Sequence, residues 1–223
     1  MKGSAAIWLI SMASLVAPAS AARAQAYQPA EVASAGDVYV PYAFVADGFF
    51  VLDARVGADG ALEGIDALRD PGAMPSAAKD RMREWKFRPG REDGKAIASR
   101  ITVGFLYPPT SYSTAVQRAD YAAELPGDKQ ESRGYRPVGI LASAYPAYPV
   151  NSVAWGSVVI QVTVDGSGGV KGVEFLHRMD VFDQFALEAL KKWRFRAATL
   201  NGRAVEAKTV IGFAFQPPPA KTR

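Results

Sequence analysis

The sequence predicts an α+β protein: two tandem small domains, each a three-stranded antiparallel sheet with a helix on one face, in the order strand, strand, helix, strand. Three observations predict it. The first is a repeat. Trp85 and Trp193 lie 108 positions apart, in Arg83-Glu84-Trp85-Lys86-Phe87-Arg88 and Lys191-Lys192-Trp193-Arg194-Phe195-Arg196. At the same offset and without a gap, Gly48 meets Gly156, Val56 meets Val164, Gly60 meets Gly168, Gly64 meets Gly172, Gly94 meets Gly202, and Gly104-Phe105 meets Gly212-Phe213. Such self-similarity marks one structural unit present twice. The second observation is a pair of strand-type runs in each copy, joined by a glycine-bearing turn. The third is one apolar stripe at helical spacing in each copy, followed by a further strand-type run.

The N-terminus comes first. Lys2 gives a short positive start, Ala5 to Val16 is apolar and uncharged, Pro18 breaks it, and Ala22-Arg23-Ala24 or Ala24-Gln25-Ala26 offers a cleavage site. This layout predicts a signal peptide over residues 1–26. A spanning helix needs about 20 apolar residues, more than this run supplies. Export to a periplasm is therefore expected, the alternative being an uncleaved inner-membrane anchor with the rest of the chain facing the periplasm. The sequence has 0 cysteines, which removes disulfide and thiolate chemistry. Loss of Lys2 and Arg23 with the leader lowers the formal charge from +4 to +2. With no basic stripe interleaved with aromatics, nucleic acid is not an expected partner.

Ala26 to Asp37 reads as a loose lead. The first domain is assigned to residues 38–109. Within it Phe49 to Val56 is a strand, Gly57 to Gly60 a turn and Leu62 to Leu68 a strand. Met74, Ala78, Met82 and Trp85 form the helix stripe, Asp93-Gly94 is a turn, and Ile97 to Tyr107 is the last strand. Residues 110–136, polar and carrying Pro126-Gly127 and a charge cluster, read as a linker with a helical turn at 115–123. The second domain is assigned to residues 137–217. Ser157 to Val164 is rich in β-branched residues and reads as a strand, Asp165 to Gly169 as a hairpin turn, and Val170 to Leu176 as the returning strand. Asp180 is placed as the helix cap, with Asp183 in capping-box position. Phe182, Phe185, Ala186, Ala189, Leu190 and Trp193 share a helix face. Asn201-Gly202 is a turn and Ala204 to Phe215 a strand. Pro217-Pro218-Pro219 ends the unit, because proline has no N–H for a ladder.

The second unit resembles the C-terminal domain of TonB, the periplasmic energy transducer. The resemblance rests on Tyr145-Pro146, Gly156 with the strand Val158 to Val164, Asp165 and Gly168, Phe182-Asp183, Ala189-Leu190-Lys191-Lys192-Trp193-Arg194-Phe195, Asn201-Gly202, and the closing Phe213-Ala214-Phe215. The first unit is a diverged copy, keeping Trp85-Lys86-Phe87-Arg88-Pro89 and Gly94 but with Pro71 and Pro75 at its helix start and no tyrosine–proline pair. The departures are a cleavable leader in place of an anchor, no proline-rich spacer, two units in place of one, and Pro149 interrupting any helix between Tyr145 and Gly156. The resemblance implies the fold, and it implies a third strand at a sheet edge.

That strand is the candidate site. An edge strand presents unpaired backbone donors and acceptors, and an extended peptide can add to it. The candidate residues are Lys208, Thr209, Val210, Ile211, Gly212, Phe213 and Phe215. The expected partners are extended segments of outer-membrane transporters or other envelope proteins. The competing expectation is that this edge pairs with the other unit, making a structural scaffold. Other residues have plainer roles. Trp85 and Trp193 are expected in the core, Arg88 and Arg196 as cations past a helix end, and His177 at the surface. Asp165 and Asp183 serve turn and cap, and Gly166-Ser167-Gly168-Gly169 is a hairpin turn that opens no helix and so lacks the anion-site mechanism. No nucleophile–base pair or metal-ligand set is present, so no enzyme, cofactor, metal site or small-molecule substrate is expected.

Overall fold

Residues 27–40, 48–70, 76–108, 118–119 and 134–217 are described by the computed structural model. The leader, Pro41, Pro71, Met74 and Pro75, nearly all of the linker with its expected helical turn, and Pro218-Pro219 lie outside the described residues. The first half comprises β1 (Tyr27–Gln28), β2 (Glu31–Ser34), β3 (Gly48–Val56), β4 (Leu62–Arg69), α1 (Ser76–Arg83), β5 (Lys86–Arg88), β6 (Gly90–Glu92), β7 (Lys95–Ile97) and β8 (Ser99–Tyr107). A short β9 (Arg118–Ala119) follows. The second half comprises β10 (Tyr135–Arg136), β11 (Gly139–Ala144), β12 (Gly156–Val164), β13 (Val170–His177), α2 (Asp180–Leu190), β14 (Arg194–Arg196), β15 (Ala198–Leu200), β16 (Arg203–Val205) and β17 (Ala207–Phe215). The first residues of β3 and β12, and of β8 and β17, stand at the repeat offset.

The long strands do not make two three-stranded sheets. They make one sheet of six, in the order β13-β12-β17-β8-β3-β4. Neighbours are antiparallel except at the centre, where β17 runs parallel to β8 with Val210, Ile211, Gly212 and Phe213 opposite Val103, Gly104, Phe105 and Leu106. Side chains alternate between faces along each strand, and the core divides accordingly. One face gathers Phe49, Val51, Leu106, Val158, Ile160, Val162, Ile211 and Phe213 under Phe182, Ala186, Leu190 and Trp193 from α2 and its exit. The other gathers Phe50, Leu52, Ala54, Val103, Phe105, Val159, Val210 and Ala214 under Ala78, Met82 and Trp85 from α1 and its exit. The two helices thus cover opposite faces, and each covers strands of both halves.

Two glycines permit the central pairing. A Cβ on Gly104 would lie 2.9 Å from Ile140 Cδ1 and 3.2 Å from Ile211 Cδ1, and one on Gly212 would lie 2.7 Å from Phe105 Cδ1 and 3.1 Å from Val38 Cγ2. Each half's glycine therefore makes room for the other half's side chains, which is a close-approach role for that residue.

The lead corrects the sequence reading. Tyr27–Gln28 and Glu31–Ser34 form strands: β1 pairs with β6 and β2 with β5, and Ala30, Val32, Val38 and Tyr39 are buried. Their counterparts β10 and β11 pair with β15 and β14. The polar lead is also tied to the other half, with Val32 N–H donating to Gln161 Oε1 at 3.2 Å and Val38 N–H to Ser157 Oγ at 2.9 Å. Three smaller expectations are refined. The last strand of each half is broken into β7 and β8, or β16 and β17, by Ala98 and Glu206. Met179 rather than Asp180 caps α2 and makes no side-chain cap bond; Asp183, one place beyond the capping-box position, accepts from the Met179 N–H at 3.1 Å. The two tight turns have positive φ at both central residues, Asp93 (50°) with Gly94 (79°) and Asn201 (50°) with Gly202 (76°), as hairpin turns of this hand require.

Candidate functional site: the last strand and the free edges

The residues proposed to take a peptide lie in the middle of the molecule. β17 pairs with β12 along its whole length, Ala207 to Phe215, and with β8 over Val210 to Phe213. Thr209, Val210, Ile211 and Phe213 are 0% exposed and Phe215 is 1% exposed. Thr209 Oγ1 donates to the Thr102 carbonyl at 2.7 Å, a further tie to β8. The strand is therefore not an edge, and the expectation of one is corrected. The physical reason lies in composition: β17 is apolar on both faces, so leaving one flank in water would expose Ile211, Phe213 and Val210. Pairing with β8 covers all three and satisfies backbone groups at the same time.

Lys208 alone among the candidates keeps a partly exposed side chain, and it bonds to Glu31 of β2. Glu31 also accepts from Arg88 at 2.6 Å. Burial pushes the Glu31 carboxyl up, but the hydrogen bonds and charges of Lys208 and Arg88 outweigh it and hold the group below its ordinary value. One carboxylate thus joins β2, β5 and β17 across the two halves.

The sheet's edges are β13 and β4. Both carry bulges at each end of their ladder: β13 between its Phe175 and His177 and between Val170 and Gly172, β4 between Ala67 and Arg69 and between Leu62 and Gly64. Bulges shorten the regular stretch that another strand could join. The regular stretches are Gly172 to Phe175 and Gly64 to Ala67. On β13, Val170 and Val173 are 47% and 46% exposed, whereas Leu62 and Ile65 at the matching places on β4 pack partly against the core. Sequence reasoning placed both strands but did not identify them as the edges. Which strand ends the sheet depends on how the halves join, and periodicity within one half carries no information about that.

The remaining singled-out residues take structural positions. Trp193 is 2% exposed and its Nε1 donates to the Ala144 carbonyl at 3.2 Å; its ring stands edge-on to Phe49 of the other half, centroids 5.6 Å apart. Trp85 is 4% exposed and stands edge-on to Phe105 at 5.8 Å. His177 is the half-buried last residue of β13. Asp165 accepts from the Ser167 hydroxyl at 2.6 Å, the Ser167 N–H at 2.8 Å and the Gly169 N–H at 3.0 Å. Those bonds, the Ser167 hydroxyl first, hold its carboxyl below the ordinary value. Asp183 is held by Arg178 at 2.6 Å. Among the described residues no group of three or more His, Cys, Asp and Glu is placed to hold a metal, and no helix is long and apolar enough to cross a membrane.

Residues 142–217 match the family model described as the Gram-negative bacterial TonB protein C-terminal. This segment is similar to TonB C-terminal domains. It runs from within β11 to just past β17 and covers about a third of the chain. Neither a curated protein nor a solved structure matches the chain. TonB C-terminal domains are periplasmic-side, non-enzymatic protein-interaction domains, and outer-membrane transporters are their general partners. Within the matched residues the tyrosine–proline pair leads into an irregular segment, 145–155, braced by a 2.6 Å bond from the Tyr148 hydroxyl to the Ala154 carbonyl.

Proposed function

We propose that the protein is an exported, periplasmic binding module that takes an extended segment of another envelope protein, transporters included, by strand addition at an outer edge of its six-stranded sheet. The chain is read as two tandem TonB-C-like units, residues 38–109 and 137–217, the first diverged, joined by a linker and preceded by a signal peptide. The observation that carries the reading is the sealing of β17 by β8, which leaves β13 and β4 as the long strands with an unpaired flank. Backbone bonds would supply affinity, and the exposed Val170 and Val173 on β13 would supply selectivity. The test is a titration of the isotope-labelled protein with synthetic periplasmic segments of outer-membrane transporters, read by amide shifts. Shifts along Gly172 to Phe175 or Gly64 to Ala67 are expected. No binding at high micromolar concentration would count against the reading, and shifts confined to Thr209–Phe215 would restore β17 as the site.

The β17–β8 pair itself favours a second reading, an envelope scaffold in which the two units serve chiefly to hold each other. It expects slow amide exchange along both last strands in the isolated protein and no partner segment at either edge. Energy transduction belongs to a third case, in which residues 1–26 stay attached as an anchor. Intact mass of the protein from fractionated cells decides it. A start near Tyr27 in the soluble periplasmic fraction leaves a free module, and a start at Met1 in the inner membrane brings back the transducer.

A further inference from the structure

At the end of the sheet where β12 turns into β13, a cleft of about 480 Å³ opens between the two halves. One wall is the segment Tyr27 to Glu31 with Arg88, Pro89 and Arg91; the other is Thr163 with the start of β17 at Glu206, Ala207 and Lys208. The volume lies within the range of ordinary ligand sites.

Its charges are unevenly matched. Glu31 accepts from both Arg88 and Lys208. Glu206 is held at 2.7 Å by Lys171, which lies outside the lining. Arg91 is bonded to a neutral group, the Gly94 carbonyl at 2.9 Å through Nη1. Arg88 gives Glu31 its Nη1, and its side chain is 65% exposed. Two guanidinium groups therefore face the cleft with donors to spare, and planar forks of this kind match a carboxylate two bonds at a time. Pro29 and Pro89 beside them have no N–H and offer an apolar surface to the stem of such a group.

The shared fold does not impose this set. At the matching places in the repeat, Thr199 stands for Arg91, Ala98 for Glu206 and Gly139 for Glu31, while Arg100, which stands for Lys208, is engaged by the buried Asp53. Arg88 has an arginine counterpart in Arg196, so what is particular to this one position is Arg91 together with Glu31 and Glu206.

We propose that this cleft binds a carboxylate-bearing ligand, an acidic peptide segment of a partner protein, through Arg91 and Arg88. The test uses the protein as recovered from cells, titrated with the blocked pentapeptide Ala-Glu-Ala-Glu-Ala, its glutamine counterpart, and free glutarate, followed by amide shifts and calorimetry. The glutamate peptide is expected to shift Arg88, Arg91, Thr163 and Lys208. It should bind roughly tenfold more tightly than the glutamine peptide, the scale of a charge-assisted hydrogen bond. Arg91→Ala should remove that preference, Arg91→Lys should restore only part of it, and Arg203→Ala should leave it unchanged. Equal binding of the two peptides, or no loss in Arg91→Ala with the fold intact by circular dichroism, overturns the site. Glutarate binding as tightly as the peptide overturns the protein-borne source. Shifts confined to the outer strands β4 and β13 would support strand addition and also overturn this cleft, so the two readings fail separately.

Discussion

Gly104 and Gly212 show how one atom can decide an architecture. Each lies where the partner half's side chains press against the backbone, and the nearest atoms to a Cβ on Gly212 would be the Phe105 ring at 2.7 Å and 2.9 Å. That ring is 0% exposed and packs edge-on to Trp85, so it cannot swing away without disturbing the core under α1. Gly212→Ala is therefore expected to destabilise the protein by about 1–3 kcal/mol, the range for overpacking a filled core. Equilibrium denaturation reads it, and an unchanged midpoint would mean that the close approach is looser than the structure has it. Alanine at the exposed Gly94 is the wrong control, because φ there is +79°. Gly172, whose added Cβ would meet nothing closer than 4.0 Å, is the right one. The repeat exposed both close-approach glycines as a matched pair, but it could not say what each one touches. A self-match is silent on whether the two copies touch at all.

At the scale of elements, the long strands, the hairpin turns and α2 were legible because alternation, β-branching and a Gly-bearing turn are local properties of the chain. The short lead strands were not legible. β1 and β2 hold six residues between them, with Pro29 and Ala30 separating them, too few for a period to show. The repeat offset does reach that far, placing Tyr27 over Tyr135 and Val32 over Ile140, and this was the signal that could have found them. Their docking has a charge at its centre, since Glu31 of β2 meets Lys208 of β17 and Arg88 of β5. Because the folded carboxyl lies below its ordinary value, the charged form is the one the fold favours. Its contribution to stability is then present above the unfolded value and is lost as pH falls through the folded one. Glu31→Gln should consequently lower the denaturation midpoint at neutral pH, and the gap between variant and parent should close in acid. A gap that persists below the carboxylate range would assign the effect to packing instead. Exposure of the group keeps the size of the effect small.

For the whole molecule, the decisive fact is that neither helix face belongs to one half. Trp193 rests on Phe49 of the first half, and Ile140 lies over Gly104. Phe105 fills the space left by Gly212, and Val38 is tied to Ser157. The candidate strand was expected at an edge, open to a peptide; it lies between β12 and β8 of the same chain. This could not be read from either half alone, since a three-stranded unit and half of a six-stranded sheet share the same local pattern. The same fact predicts how the pieces behave apart. A fragment spanning residues 134–217 would keep β12, β13, α2 and β17 but would leave Val210 to Phe213 without β8 and uncover one flank of Trp193. An exposed apolar edge of that kind recruits another strand. The fragment is expected to self-associate through β17 or to lose cooperative unfolding, and mixing it with residues 27–108 should restore a one-to-one complex with slow amide exchange at Thr209. Light scattering coupled to size separation and hydrogen exchange read the two outcomes. A folded, monomeric fragment with Thr209 as protected as in the intact chain would show that the second half stands alone, and that its pairing with the first is a later convenience of the fold.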